Sequence, residues 1–114
     1  MIDQTALSAF FKNDQGLLKR FLELIVEETP GLINLVDEAL HNEHHTELFI
    51  WLHSLRSRIQ YLGFPDLVDR LIAMEQMAKN QEPIEHIQSE WTEMQVEFQQ
   101  IYEVVEALQR TLKL

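Results

Sequence analysis

The chain contains no cysteine, which excludes both disulfides and thiolate chemistry. Glycine and proline number only three each, so there are few places to turn, and the signals of β-hairpins are missing. No apolar run approaches the roughly 20 residues of a membrane-spanning helix. The N-terminal MIDQTALSAF also lacks the basic start and continuous apolar core of a secretory signal. We therefore expect a helical, cytoplasmic protein.

Negative charge dominates the chain but is spread unevenly. The 114 residues carry a formal net charge of -10, which argues against sequence-independent binding of nucleic acid because phosphates would be repelled. An even spread of the acidic residues would place about three between Leu48 and Pro65, yet that window holds none. Its charged residues are Arg56 and Arg58. This local cationic spot on an acidic chain is a candidate site for meeting an anion.

Apolar residues recur in steps of three and four along most of the chain, the pattern of amphipathic helices. Four stripes are present, from Leu18 to Leu40, Leu48 to Leu62, Leu67 to Ala78 and Ile84 to Leu112. With 46% hydrophobic residues the chain can bury a core. We therefore expect residues 1–114 to form a single domain, an all-α, antiparallel up-down-up-down four-helix bundle.

Several residues mark where these helices begin and end. Asn13 is the expected N-cap of the first stripe, and Pro30 is expected to kink that helix without ending it, because the apolar phase carries across. Gly63 is a good left-handed terminator of the second stripe. A short extra N-terminal helix, from Asp3 to Phe11, is expected before the bundle.

The stretch HSLRSRIQYLG, residues 53–63, holds the candidate chemistry. Residues three and four apart share a helix face, so His53 is expected beside Arg56, Ser57 and Gln60, with Phe49 one turn earlier. An exposed imidazole is a nucleophile near neutral pH. Arg56 can hold an anion through a forked hydrogen bond, and the small Ser57 lets a tetrahedral oxyanion approach and adds a donor. Accepting a phosphoryl group requires this combination.

This segment resembles the signature of histidine phosphotransfer (HPt) domains: His, any residue, an apolar residue, Lys, Gly, small residues, and Gly ten positions after the His. His53 matches the phosphorylated histidine, Leu55 the apolar position and Gly63 the closing glycine. Pro30, and LGFPDLVDRLIAMEQMAKN after the motif, also look like the family, and the likeness covers nearly all of the chain. Arg56 stands where the family usually has Lys. Ser57 replaces the usual Gly, and Arg58 replaces a small residue.

The resemblance implies a phosphorelay intermediate. His53 would be the phosphoacceptor, Arg56 and Ser57 would contact the phosphate, and the docking surface would include Phe49, Ile50, Arg58 and Gln60. The partners would be receiver domains of a response regulator, a hybrid sensor histidine kinase or both, with neither nucleic acid nor a membrane involved. Mg²⁺ is expected only on the receiver, and no metal or cofactor on this chain. The sequence has no Gly-rich phosphate loop or kinase motif, so the protein would be a carrier and no enzyme.

Other interpretations stay open at this stage. A degenerate HPt-like or unrelated helical module could dock a partner without carrying phosphate. The histidines of HNEHH, residues 41–45, have spacings that a metal could use, although a place in a helix link is the simpler interpretation. Packing of Phe49 against the short N-terminal helix is as plausible as a docking role. Replacing Arg56 by Ala is expected to slow transfer or shorten the lifetime of phosphohistidine with little loss of stability.

Overall fold

The computed structural model describes residues 14–112, which form four helices: α1 (Gln15–His41), α2 (His45–Ile59), α3 (Pro65–Lys79) and α4 (Ile84–Leu112). Helix α1 begins at Asp14, whose Oδ1 accepts a hydrogen bond from the backbone N–H of Leu17 at 3.0 Å. The cap is thus one residue later than the predicted Asn13. Helix α1 continues through Pro30, as expected from the apolar phase. The predicted helix from Asp3 to Phe11 lies outside the described residues.

The helices are joined by short links, residues 42–44, 60–64 and 80–83. Short links place consecutive helices antiparallel. Helix α1 packs against α2, α2 against α3, and α3 against α4, while α4 closes the bundle against α1. The predicted all-α four-helix bundle is therefore confirmed. Among residues 14–112, no helix combines the length and the apolarity that crossing a bilayer requires.

One hydrophobic core runs between the four helices, and the predicted stripes supply it. Helix α2 contributes Leu48, Leu52, Leu55 and Ile59, all fully buried. Burying such a side chain contributes about 1.5–3 kcal/mol relative to leaving it in water. Trp91 of α4 is also fully buried, and its Nε1–H donates to Asp37 Oδ1 of α1 at 2.7 Å. The core fixes which faces of α2 and α3 remain on the surface.

Polar contacts set the register of α3 against its neighbours. At one end of α2, His45 Nε2 lies 2.7 Å from the carbonyl oxygen of Glu82, just beyond α3. At the other end, the link to α3 passes through Gly63, whose φ of 89° favours glycine as predicted, although α2 ends four residues earlier, at Ile59. Arg70 of α3 donates to Glu97 at 2.8 Å and to Glu93 at 3.2 Å on α4. Side chains of α2 and α3 therefore face each other in a fixed register.

Two buried hydroxyls, those of Thr29 on α1 and Tyr102 on α4, have no hydrogen-bond partner among the described residues. Burial raises the pKa of Tyr102 to about 12, because the phenolate would lose its hydration. An orphaned buried polar group is a cost of folding.

We expect Tyr102→Phe to raise the free energy of unfolding by about 1 kcal/mol, since it removes an unpaired hydroxyl and keeps the ring. The tyrosine ionises near pH 10 when unfolded but at about 12 when folded. Wild-type stability should therefore fall as the pH rises from 10 towards 12, and this component should be absent in the variant. Urea unfolding measured by circular dichroism at pH 7, 10 and 11 checks both effects. A variant less stable than wild type at pH 7 would mean that the hydroxyl is bonded.

Candidate functional site

The predicted site residues gather on the outer face of α2. His53 is the most open of the charged groups there, with 53% of its side chain exposed, compared with 21% for Arg56. The ring of Phe49 stacks on the imidazole, with centroids 6.1 Å apart and planes inclined by 17°. Ile50 is 47% exposed, and Gln60 forms the C-cap of the helix. The imidazole is therefore accessible but restrained on one side by an aromatic ring.

A carboxylate from the neighbouring helix lies directly behind the histidine. Glu75 of α3 places Oε1 2.9 Å from His53 Nδ1. Its Oε2 accepts a hydrogen bond from Arg56 Nε at 2.5 Å, and Oε1 accepts a longer one from Arg56 Nη2 at 3.3 Å. The guanidinium thus forks onto a carboxylate, and Arg56 Nη2 also lies 2.9 Å from His53 Nδ1. His53, Arg56 and Glu75 form one triad, to which two helices contribute.

Burial makes this triad sensitive to the loss of any charge. Glu75 is only 4% exposed, so its carboxylate depends on Arg56 and His53 to replace water. The hydrogen bonds from Arg56 to Glu75, reinforced by the charge of the carboxylate, raise the pKa of Arg56 against the opposing effect of burial. Arg56 therefore remains a cation, and Glu75 neutralises much of its charge. The site is close to neutral, in contrast to the free cation that the sequence predicted.

The two ring nitrogens of His53 have different surroundings. Nδ1 faces Glu75 and Arg56, whereas Nε2 makes none of these contacts. A neutral imidazole carries one hydrogen, and on Nδ1 that hydrogen is donated to Glu75 Oε1. Nε2 then carries the lone pair of a ring whose side chain is half exposed. Carboxylates orient histidine in this way in metal sites and in catalytic triads. The arrangement can thus prepare a nucleophilic nitrogen at the surface.

The remaining predicted residues of α2 are engaged differently from the sequence-based expectation. The Ser57 hydroxyl donates to the backbone carbonyl of His53 at 3.0 Å, so it lies along its own helix. Arg58 Nη2 donates to Glu28 of α1 at 3.4 Å, and this pair lies on the side of α2 that faces α1. The predicted phosphate contact of Ser57 would require its hydroxyl to leave that carbonyl. Arg58 was predicted to contact a docking partner, but its positive charge is already paired with Glu28.

Sequence reasoning missed Glu75. It follows Leu71 by four residues and precedes Ala78 by three, so it falls on the apolar stripe of α3. An acidic residue on a core stripe is a signal of a buried, paired charge. It is also the one acidic residue between Asp69 and Glu82. The acid-free surface of α2 therefore continues onto α3, because this single acid is buried.

The histidines around the first link make contacts of two kinds. His44 Nδ1 lies 3.4 Å from Glu47 Oε2 on the surface, and His45 bonds to the Glu82 carbonyl. Within residues 14–112 no three histidine or acidic side chains are placed to hold a metal ion. The metal-binding interpretation of HNEHH therefore gains no support from the described part of the chain.

Comparison with known proteins agrees with this architecture. The family model for the Hpt domain matches residues 20–111. The crystal structure of the HPT domain from the Hpt sensor hybrid histidine kinase of Shewanella superposes with a TM-score of 0.82 at 17% sequence identity. The match covers 96% of this chain and 94% of that one, and at this identity it shows the fold alone. No curated protein sequence matches the chain.

The buried carboxylate changes the loss of stability that we expect when Arg56 is replaced. Replacing Arg56 by Ala leaves Glu75 without its forked partner, and we expect a loss of about 3 kcal/mol, the lower end of the range for breaking a buried ion pair. The lower end applies because Arg56 is one-fifth exposed. This corrects the sequence-based expectation of little loss. Urea unfolding at neutral pH measures the change.

Arg58→Ala is the matched control on the same helix. Its pair with Glu28 is exposed on both sides, 37% and 41%, so its loss should cost no more than about 1 kcal/mol. Replacing both members of the buried pair, Arg56→Met with Glu75→Leu, should recover most of the stability that Arg56→Ala loses. Equal losses in the free energy of unfolding for Arg56→Ala and Arg58→Ala would show that the burial of Glu75 does not affect stability.

Proposed function

Because this chain belongs to the Hpt domain family, we propose that it is a phosphorelay intermediate. It takes a phosphoryl group onto His53 from the phospho-aspartate of one receiver domain and passes it to an aspartate of another. The observation that carries this proposal is the half-exposed imidazole, whose Nδ1, and not its Nε2, lies against a buried carboxylate. Hpt domains are phosphocarriers, which agrees with a site built around one nucleophile.

Transfer needs a nitrogen that can be approached in line. The lone pair of Nε2 attacks phosphorus while the bond to the aspartate oxygen breaks, and the carboxylate of the receiver keeps that electron pair. Glu75 holds the Nδ1 hydrogen and stabilises the positive charge that develops on the ring. Phe49 limits rotation of the imidazole through its stacked ring. The chain thereby supplies an oriented nucleophile, and positioning is the main requirement of phosphoryl transfer.

The roles proposed for Arg56 and Ser57 follow from their contacts. Arg56 supports the site chiefly through Glu75, and its Nη1, which makes none of these contacts, is the nitrogen available to a phosphoryl oxygen. The Ser57 hydroxyl, turned back along the helix, leaves clearance for the incoming group. Since the site is nearly neutral, most of the charge stabilisation would come from the receiver and its Mg²⁺.

The surface around His53 has the composition that a docking partner requires. Ile50, the exposed edge of Phe49 and Gln60 lie on α2. Ile72, which is 40% exposed, precedes Glu75 by one turn on α3. No exposed acidic residue interrupts either helix over Leu48–Pro65 or Arg70–Gln81. We propose this apolar, acid-free surface as the receiver-docking patch, because elsewhere the chain is strongly acidic and would repel the phospho-aspartate that a receiver presents.

We expect a phosphorylated receiver to label the wild-type protein on His53, and His53→Gln to carry no label, since the buried carboxylate and the aromatic ring that orient an imidazole are placed at His53. The label should be lost in acid and should resist alkali, which distinguishes phosphohistidine from phosphoserine. Radiolabel transfer from a prelabelled receiver, followed by acid and alkali treatment, measures this.

The matched control is His44→Gln, which removes an exposed imidazole beside Glu47 and should leave labelling unchanged. Circular dichroism of both variants ensures that the fold is retained. Binding of a receiver without any label on the wild type would favour the alternative function, a docking module that carries no phosphate. Label persisting in His53→Gln would remove His53 as the acceptor.

A second expectation concerns the docking patch. Ile50→Ala should raise the receiver concentration that gives half-maximal transfer by about fivefold, equivalent to about 1 kcal/mol of lost contact. The rate at saturating receiver should change little, because an isoleucine side chain makes no hydrogen bond to the triad. Val96→Ala on α4 is the control, since Val96 is even more exposed, at 67%. Similar effects of the two substitutions would contradict the location of the patch.

A further inference from the structure

The Nδ1 atom of His53 has two close neighbours with opposite requirements. Glu75 Oε1 and Arg56 Nη2 each lie 2.9 Å from it. The carboxylate oxygen can only accept a hydrogen bond, and the guanidinium nitrogen can only donate one. A ring nitrogen either carries a hydrogen or presents a lone pair, so it can satisfy one neighbour at a time. The geometry therefore provides a partner for each protonation state of Nδ1.

We propose that Glu75 and Arg56 serve opposite chemical states of His53: Glu75 the reactive states, in which Nδ1 carries a hydrogen, and Arg56 the stored phosphohistidine, in which it does not. This inference rests on the proposed relay function. It assigns to Arg56 a positioning role in keeping the phosphoryl group, beyond its pairing with Glu75.

The exchange of partners follows from the proton balance of the transfer. Before transfer, Nδ1–H donates to Glu75 and Nε2 holds the lone pair. When the N–P bond forms and the P–O bond of the acyl phosphate breaks, the ring becomes cationic with hydrogen still on Nδ1. That proton then passes to water, and Nδ1 is left with a lone pair. Glu75 Oε1 cannot bond to a lone pair, whereas Arg56 Nη2 can donate to it without moving.

The stored state is protected because release requires the reverse protonation. Phosphohistidine loses its phosphoryl group most readily when Nδ1 is protonated, because Nε2 then leaves as a neutral imidazole nitrogen. A hydrogen bond from a cation to the Nδ1 lone pair opposes that protonation. Glu75 favours it, since a carboxylate stabilises a cationic ring. The two residues should therefore have opposite effects on the lifetime of the phosphoryl group.

Among the described residues, the charged side chains that contact Nδ1 are Arg56 and Glu75. Arg56 comes from the same helix, and Glu75 from α3, the helix packed against that face. Phe49, the other close neighbour of the ring, is uncharged. The planar guanidinium of Arg56 can bond to Glu75 through Nε and to His53 Nδ1 through Nη2 at the same time. A lysine in this position has a single nitrogen for both tasks.

The test follows loss of phosphate from His53 between pH 5 and 9. Phosphoramidate, which phosphorylates imidazoles directly, labels the full chain without a receiver. ³¹P spectra identify the His53 signal by its absence in His53→Gln. At low pH, where Nδ1 is protonated in every variant, Arg56→Ala and wild type should lose phosphate at the same rate. At pH 8 the loss should be about tenfold faster in Arg56→Ala, because the protonated fraction of Nδ1 should be about tenfold larger without the cation. Glu75→Gln should lose it more slowly than wild type.

Arg56→Lys keeps a cation for Glu75 and provides a variant that folds should Arg56→Ala not. Its profile should shift in the same direction by a smaller amount. Superimposable profiles of wild type and the Arg56 variants overturn the inference. A rate of phosphate loss that changes by the same factor at every pH indicates a purely structural role and also overturns the inference. So does a change in that rate in the same direction for the Arg56 and Glu75 variants. If the profiles behave as expected while a receiver fails to label the wild type, the relay is rejected and the roles at Nδ1 are retained.

Discussion

A buried carboxylate is the constraint on which the candidate site depends. Glu75 has almost no contact with water, and its two oxygens are satisfied by Arg56 and His53. An unpaired charge in that position would be costly, so both partners are held in place although His53 is half exposed. The orientation of a surface imidazole is therefore determined by the packing of the bundle behind it. A surface histidine without such a partner would sample several rotamers and both tautomers.

The bundle holds this triad because each of its members is on a regular helix. His53 and Arg56 are one turn apart on α2, and Glu75 is on the facing side of α3. Core residues on both helices and the contacts of Arg70 with α4 fix the register of α3. Helical side chains are positioned more reliably than those on loops. For the proposed relay between two receivers, such a nucleophile has the advantage that its geometry does not depend on the partner.

The sequence predicted what depends on local periodicity. The core stripes, the continuation of α1 through Pro30, the turn at Gly63 and the shared face of His53, Arg56 and Ser57 all follow from spacing along one helix. It failed where a contact depends on two helices. The pairing of Arg56 with Glu75, and of Arg58 with Glu28, joins residues 19 and 30 positions apart, and spacing along a single helix contains no information about the register between helices. Glu75 could have been noticed as an acid on an apolar stripe, but not its partner.

Charge balance connects the triad with the behaviour of a carrier. A free cation beside His53 would bind the phosphoryl group tightly. Phosphohistidine would then be more stable than the phospho-aspartate of either receiver, and transfer onto His53 would be favoured over transfer away from it. Pairing with Glu75 reduces that attraction while keeping a donor at Nδ1. A group that must be accepted and then given up requires affinities that are close in the two steps. The neutral triad would meet this requirement in the proposed relay, and the proposed docking patch would leave the choice of partner to contacts outside the reacting atoms.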